Sequence, residues 1–119
     1  MQEYVVGRVE DLPPGARRIV RARTIEIGVF NVDGQYYALP NHCFHQGGPL
    51  CEGKIGATIR ATAATNWRPE WVDDGRIIAC PWHGLEFNLT TGRCLGRRRG
   101  KLRLFSVRVK DGLVKLLAP

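Results

Sequence analysis

The chain has 119 residues, of which 44% are hydrophobic and 24% are charged, and this composition is typical of one globular domain rather than of a disordered chain. No run of about 18 apolar residues is present, which excludes a transmembrane helix. No basic segment followed by a long apolar one opens the sequence, so we expect no secretory signal and a cytoplasmic location.

Short segments rich in valine and isoleucine, separated by turn signals, predict strands along the whole chain. Asp33-Gly34 and Asp111-Gly112 are hairpin signals, and Asp74-Gly75 precedes another strand-like segment. No window has an apolar stripe of helical period with caps. The sequence therefore predicts an all-β chain, a small antiparallel β-sandwich or barrel. The predicted strands are residues 3–9, 17–23, 24–32, 35–39, 75–80, 85–89, 102–109 and 113–117.

The least regular part of the chain is residues 55–74, which contain alanines, threonines, Pro69 and two tryptophans. We interpret this segment as a projection from the body of the domain, either an extra hairpin or a long loop. Trp67 and Trp71 are expected to anchor it to the body of the protein.

Two loops supply the residues that carry chemistry. Cys43-Phe44-His45 and Cys80-Pro81-Trp82-His83 each place a thiol and an imidazole beside glycines and prolines that shape a loop. Four such ligands could bind Zn²⁺ tetrahedrally. Zinc fingers usually take both cysteines from one half of the site, however, whereas here each loop gives one of each. That mixed arrangement suits a two-iron cluster with two cysteines on one iron and two histidines on the other.

The stretches CFHQGGPLCEG and CPWHGLEFNLTTG resemble the two cluster-binding loops of Rieske [2Fe–2S] proteins, in particular the soluble bacterial Rieske-type ferredoxins of ring-hydroxylating oxygenases. The likeness extends over nearly the whole chain. It implies the Rieske fold, with a cluster-binding subdomain formed by the two loops. It also implies one [2Fe–2S] cluster per chain, bound by Cys43 and Cys80 on the inner iron and by His45 and His83 on the outer iron, and no catalytic residue.

The connection between the loops departs from the family pattern, because 34 residues separate His45 from Cys80 and the usual connection is shorter. We interpret the chain as one domain, residues 1–119, with an insertion at about residues 55–74 that leaves the site intact. His42 does not fit the motif and is expected to be a neighbour of the cluster or a plain surface histidine.

Cys51 and Cys94 do not match the disulfide that ties the two loops together in high-potential respiratory members. We expect them to be buried or half-buried thiols, with a disulfide between them as the alternative. High-potential members carry a serine and a tyrosine where this chain has Leu85 and Phe87. The resemblance therefore implies a potential near the lower end of the range of roughly −150 to +300 mV.

The resemblance implies an electron carrier, not itself an enzyme, that passes electrons from a reductase to a terminal oxygenase. The alternatives are a small subunit of a nitrite reductase-like enzyme and a zinc-stabilised binding module. The net charge of +7 is explained either by a solvated basic surface or by docking to acidic protein partners. No nucleic-acid motif is present, and neither nucleic acid nor a membrane is an expected partner. The basic clusters are Arg17, Arg18, Arg21 and Arg23, then Arg97, Arg98, Arg99, Lys101 and Arg103.

Overall fold

The computed structural model describes residues 1–44, 47–82, 84–95 and 100–119. In these ranges the chain forms nine strands and three short 3₁₀ turns, with no α-helix. The all-β prediction is confirmed. The strands are β1 Gln2–Arg8, β2 Arg17–Ala22, β3 Ile25–Val32, β4 Gln35–Pro40, β5 Lys54–Arg60, β6 Glu70–Ala79, β7 Glu86–Asn88, β8 Ser106–Lys110 and β9 Leu113–Ala118. The 3₁₀ turns are Val9–Asp11, Leu50–Glu52 and Ala63–Thr65.

The strands form three antiparallel sheets of three strands each, in the orders β1-β9-β8, β2-β3-β4 and β5-β6-β7. The two predicted hairpins are present. Asp33-Gly34 joins β3 to β4 and has φ values of 53° and 91°, so both central residues are left-handed, as a type I′ turn requires. A bridge between Ala38 and Phe105 links the β2-β3-β4 sheet to the segment that leads into β8.

The irregular segment is a hairpin, one of the two forms expected for it. β5 and β6 pair from Lys54 opposite Ala79 to Arg60 opposite Glu70. Gly56 faces Ile77 while Thr58 faces Val72, so residues 73–76 bulge out of the ladder. The turn signal at Asp74-Gly75 therefore marks a bulge inside β6 rather than the start of a strand.

Both tryptophans of this hairpin project into solvent. The exposed fraction is 69% for Trp67 and 72% for Trp71, and Ile59, which faces Trp71, is 56% exposed. The expectation that these tryptophans anchor the segment to the body is wrong. No helix among the described residues has the length and hydropathy that a membrane crossing requires.

Two apolar clusters form the core. One lies between β1, β2, β3, β4 and β9 and contains no cysteine. The other contains all four cysteines, packed with Leu50, Phe87 and their neighbours. Cys51 and Cys94 are buried, as expected, and no disulfide joins them.

Candidate functional site

The first loop leaves β4 and returns to β5, and Asn41 ties its two ends together. The backbone N–H of Asn41 donates to the Glu26 carbonyl on β3 at 2.8 Å. Its side-chain oxygen accepts from the backbone N–H of Cys51, also at 2.8 Å. The beginning and the end of the loop are thereby fixed to the same strand.

Arg17 supports the far end of the same loop. Its guanidinium donates to the carbonyls of Cys51, at 3.1 Å, and of Gly53. In the sequence Arg17 belongs to a basic cluster with a predicted role in solvation or docking. The structure shows that its side chain is used internally, and no local sequence signal distinguishes it from its neighbours.

Cys43 and Cys80 occupy equivalent positions in two loops that have the same backbone hydrogen bonds. The N–H of Cys43 donates to the Gly48 carbonyl at 2.9 Å, and its carbonyl accepts from the N–H of Gly47 at 2.7 Å. The N–H of Cys80 donates to the Leu85 carbonyl at 2.9 Å, and its carbonyl accepts from the N–H of Gly84 at 2.8 Å. In each loop the same pair of hydrogen bonds closes a six-residue turn that begins with the cysteine.

Each closing glycine adopts the backbone conformation that the turn needs. Gly47 has φ +74° and Gly84 has φ +70°, values that other residues adopt only with strain. The sequence of each turn also contains one predicted imidazole ligand. Those two residues, His45 and His83, lie outside the described residues.

The two loops meet at Gly48. A β-carbon on Gly48 would lie 2.9 Å from Cys80 Sγ and 3.0 Å from the Trp82 ring. Only a glycine leaves room for the second loop to approach this closely. Cys43 and Cys80 are 1% and 3% exposed and belong to the same core cluster. Two buried thiols on facing loops, with a backbone cradle between them, fit a group that takes one thiolate from each loop.

Among the described residues, no three His, Cys, Asp or Glu side chains converge on one point. The described part of the predicted ligand set is therefore Cys43 and Cys80. His42 is exposed and lies against loop 1, since its ring is 3.0 Å from the position of a β-carbon on Gly47.

Aromatic side chains surround the two cysteines. Phe87 is fully buried in their core cluster, and its ring makes an edge-to-face contact with Phe44 at a centroid distance of 5.2 Å. Phe44 and Trp82 are 38% and 56% exposed. These two rings therefore form part of the protein surface beside the loops.

Cys51 differs from the two predicted ligands in its surroundings. Burial raises the pKa of its thiol to about 12. The thiol donates to the Leu39 carbonyl at 3.5 Å, and a β-carbon on Gly28 would lie 2.5 Å from its sulfur. Cys51 is thus a packed, protonated thiol directed away from the loops and toward β3 and β4.

Comparisons with known proteins agree with this geometry. A family model described as "Rieske [2Fe-2S] domain" matches residues 2–106. The 3-phenylpropionate/cinnamic acid dioxygenase ferredoxin subunit of Photorhabdus laumondii is 30% identical over 94% of this chain and 90% of its own. A chain in the solved complex of reduced oxygenase and oxidized ferredoxin in carbazole 1,9a-dioxygenase is 30% identical, with a TM-score of 0.74 over 96% of this chain and 91% of its own.

A third likeness concerns the fold alone. A solved structure described as a putative nitrite reductase NADPH small subunit is 21% identical, with a TM-score of 0.70 over 99% of this chain and 100% of its own.

Proposed function

Because the chain belongs to the Rieske [2Fe–2S] domain family, we propose that it is a one-electron carrier that takes electrons from a reductase and passes them to a terminal oxygenase. A bound [2Fe–2S] cluster supplies one-electron redox chemistry. The observation that carries the proposal is the pair of equivalent loops that bring two buried thiols, Cys43 and Cys80, to one place.

Our proposed ligand set is Cys43 and Cys80 on one iron and His45 and His83 on the other, the division that defines Rieske centres. Two backbone hydrogen bonds fix each cysteine at the start of its turn, and Gly48 allows the loops to approach one another. The partly exposed rings of Phe44 and Trp82 lie at the surface beside the proposed site.

The proposed role is that of a component and not of a complete enzyme, with a cytoplasmic location. Support comes from the relatives, which are described as a dioxygenase ferredoxin subunit and a ferredoxin–oxygenase complex. The nitrite reductase alternative has a likeness in fold alone, at 21% identity. The zinc alternative is not retained, because the family's cofactor is a [2Fe–2S] cluster.

We further place the potential near the lower end of the class. Leu85 and Phe87 carry no hydroxyl that could donate to a cluster sulfur, and Phe87 is enclosed in the same apolar core as both cysteines. Hydrogen bonds to the sulfurs raise the potential because they stabilise the extra negative charge of the reduced state.

The test begins with iron analysis, visible absorption and EPR of the purified protein before and after reduction, followed by protein-film voltammetry. We expect about two irons per chain, a Rieske EPR signal on reduction and a negative potential. A colourless protein with zinc and no iron would refute the carrier function, and a potential well above zero would refute the low-potential assignment.

Cys80→Ser and Cys51→Ala form a matched pair of variants of buried cysteines in one core cluster. We expect Cys80→Ser to lose the cluster signal, because a proposed ligand is changed. Cys51→Ala should retain the signal, since the Cys51 thiol is directed toward the Leu39 carbonyl.

A further inference from the structure

Two cations face each other directly across a short antiparallel bridge. Arg93 pairs with Lys101, and the flanking hydrogen bonds run from Cys94 N–H to the Gly100 carbonyl at 3.0 Å and from Leu102 N–H to the Gly92 carbonyl at 2.7 Å. This is the narrow, non-hydrogen-bonded type of cross-strand pair, in which the opposed side chains stand close together on one face. Like charges in that position repel one another.

The two side chains border a surface groove of about 500 Å³, and the other described residues of its lining are Thr91 and Gly100. Neither cation has an ion-pair partner among the described residues, whereas Arg76 pairs with Asp33 at 2.9 Å. The described lining contains no carboxylate. An anionic group in this groove would be attracted by both cations and would relieve their mutual repulsion.

The groove lies against the first loop of the proposed cluster site. A β-carbon on Gly100 would be 2.9 Å from the Phe44 ring, so Gly100 packs directly on the residue that follows Cys43. Phe44 is 38% exposed. A protein bound in the groove would therefore lie beside the first loop, which supplies Cys43 and His45 to the proposed ligand set.

We propose that the groove formed by Arg93 and Lys101 is a docking site for a carboxylate-bearing surface of the protein's electron-transfer partner. This inference rests on the proposed function. An electron carrier requires a redox protein as its partner. A groove of this size accommodates one or two acidic side chains. Charge complementarity also agrees with the net charge of +7, because opposite charge steers encounter and fixes orientation.

The first experiment measures binding without electron transfer. The oxidised protein is titrated calorimetrically with a hexaglutamate peptide at low ionic strength, and hexaglutamine serves as the uncharged control. Arg93→Glu and Lys101→Glu should each weaken hexaglutamate binding about fivefold or more, the effect of losing one exposed ion pair and adding a repulsion.

Arg68→Glu is the matched control, since Arg68 is exposed in the β5–β6 hairpin and its loss changes the net charge by the same amount. It should change the affinity less than twofold. If Arg68→Glu weakened hexaglutamate binding as much as Lys101→Glu does, the groove would be refuted as the binding site. The overall charge would then explain the binding. Tighter binding of an oligothymidylate than of hexaglutamate, abolished by Lys101→Glu, would also refute the proposal, because it would identify a nucleic-acid site.

The second experiment asks whether the groove lies on the path of electrons. The reduced protein is oxidised by tris(oxalato)cobaltate(III) or by hexaamminecobalt(III), and in each reaction one electron passes from the cluster to Co(III), which becomes Co(II). Lys101→Glu should slow oxidation by the anionic complex and accelerate oxidation by the cationic one, with Arg68→Glu near wild type. Identical rates in wild type and Lys101→Glu would refute a docking site beside the cluster.

Failure of the proposed function is distinguishable from failure of this inference. A chain without a redox-active cluster would show no EPR signal but could still bind hexaglutamate. A functional carrier without this docking site would have the signal and show no effect of Arg93→Glu or Lys101→Glu.

Discussion

Residues of the same type and similar burial have different chemistry in this chain. Cys43, Cys51 and Cys80 are all nearly inaccessible to solvent. Cys43 and Cys80 begin closed turns that face one another, whereas Cys51 packs against the backbone of Gly28. The Cys51 thiol is directed toward the Leu39 carbonyl, whereas the proposed ligands Cys43 and Cys80 lie in loops that approach one another at Gly48.

The raised pKa of the Cys51 thiol predicts that the folded protein loses stability at alkaline pH. Its pKa is raised from 9.0 to about 12, so the folded state favours the neutral thiol. The stabilisation is fully present below pH 9 and is lost as the pH rises from about 9 toward 12, because the unfolded state then releases the proton more readily. We expect the stability advantage of wild type over Cys51→Ala to shrink by about 1 kcal/mol per pH unit in that window.

Urea unfolding at pH 8, 9 and 10 measures this difference. The cavity left by Cys51→Ala lowers stability by an amount that does not depend on pH, so only the slope of the difference matters. Parallel pH profiles for the two proteins would contradict the prediction.

A hydroxyl on Phe87 should raise the reduction potential. Phe87 is fully buried in the core cluster that contains Cys43 and Cys80. In Phe87→Tyr, a hydrogen bond to a cluster sulfur that is about 1 kcal/mol stronger in the reduced state would raise a one-electron potential by about 40 mV. Phe105→Tyr, in the core cluster without cysteines, is the control. Voltammetry that gives equal shifts for both variants would contradict a direct hydrogen bond.

At the level of elements, the contact between the two loops predicts that alanine substitution of two glycines, one at the contact and one away from it, has different effects on iron content. A β-carbon on Gly48 would be 2.9 Å from Cys80 Sγ, whereas one on Gly56 in β5 would meet nothing within 4 Å. Neither glycine has a left-handed φ. Gly48→Ala should therefore push the loops apart and lower the iron content, and Gly56→Ala should retain it.

Iron analysis and visible absorption after identical purification compare the two variants. Overpacking of this kind typically costs about 1–3 kcal/mol. Full cluster occupancy in Gly48→Ala would show that the loops tolerate separation.

The strands that could be predicted are those bounded by strong turn signals. β3, β4, β8 and β9 lie on either side of Asp33-Gly34 and Asp111-Gly112, where left-handed turn residues specify a hairpin. β5 was expected only as part of the hairpin alternative for residues 55–74, because its residues, KIGATIR, include glycine and alanine and lack a clear alternation. At Asp74-Gly75 the local signal was correct but its outcome was a bulge, since the ladder continues on both sides of it.

Some residues of the candidate site could likewise be predicted from the sequence, and others could not. The motif containing Cys43 and Cys80 is local in sequence and could be recognised there. Asn41 and Arg17 could not, because each acts through a hydrogen bond to a residue 10 or 34 positions away. Such contacts depend on strand pairing that the sequence pattern does not specify.

On the scale of the whole molecule, the two core clusters predict an uneven response to loss of the cofactor. One cluster contains all four cysteines, and the other contains none. Because a bound group stabilises the state that binds it, its removal should loosen mainly the β5-β6-β7 sheet and the loops beside it. The β1-β9-β8 sheet should keep its protection.

Hydrogen exchange of the iron-depleted protein measures this. We expect amides of β6 and β7 to exchange at least about tenfold faster than in the loaded protein, with β9 amides changed little. The Cys80→Ser variant is the control, since it should show the same pattern without chemical extraction. A uniform increase across both sheets would contradict the separation of the cores.

The β5–β6 hairpin makes the length of the chain between the two loops adjustable. Its base is fixed where Lys54 pairs with Ala79, immediately before Cys80, and its far end at residues 61–69 is mostly exposed. Added residues at that end would extend the ribbon outward without moving the base. The hairpin is therefore a suitable insertion point for an epitope, an immobilisation tag or a tether to an electrode, at the end opposite the loops of the proposed cluster site.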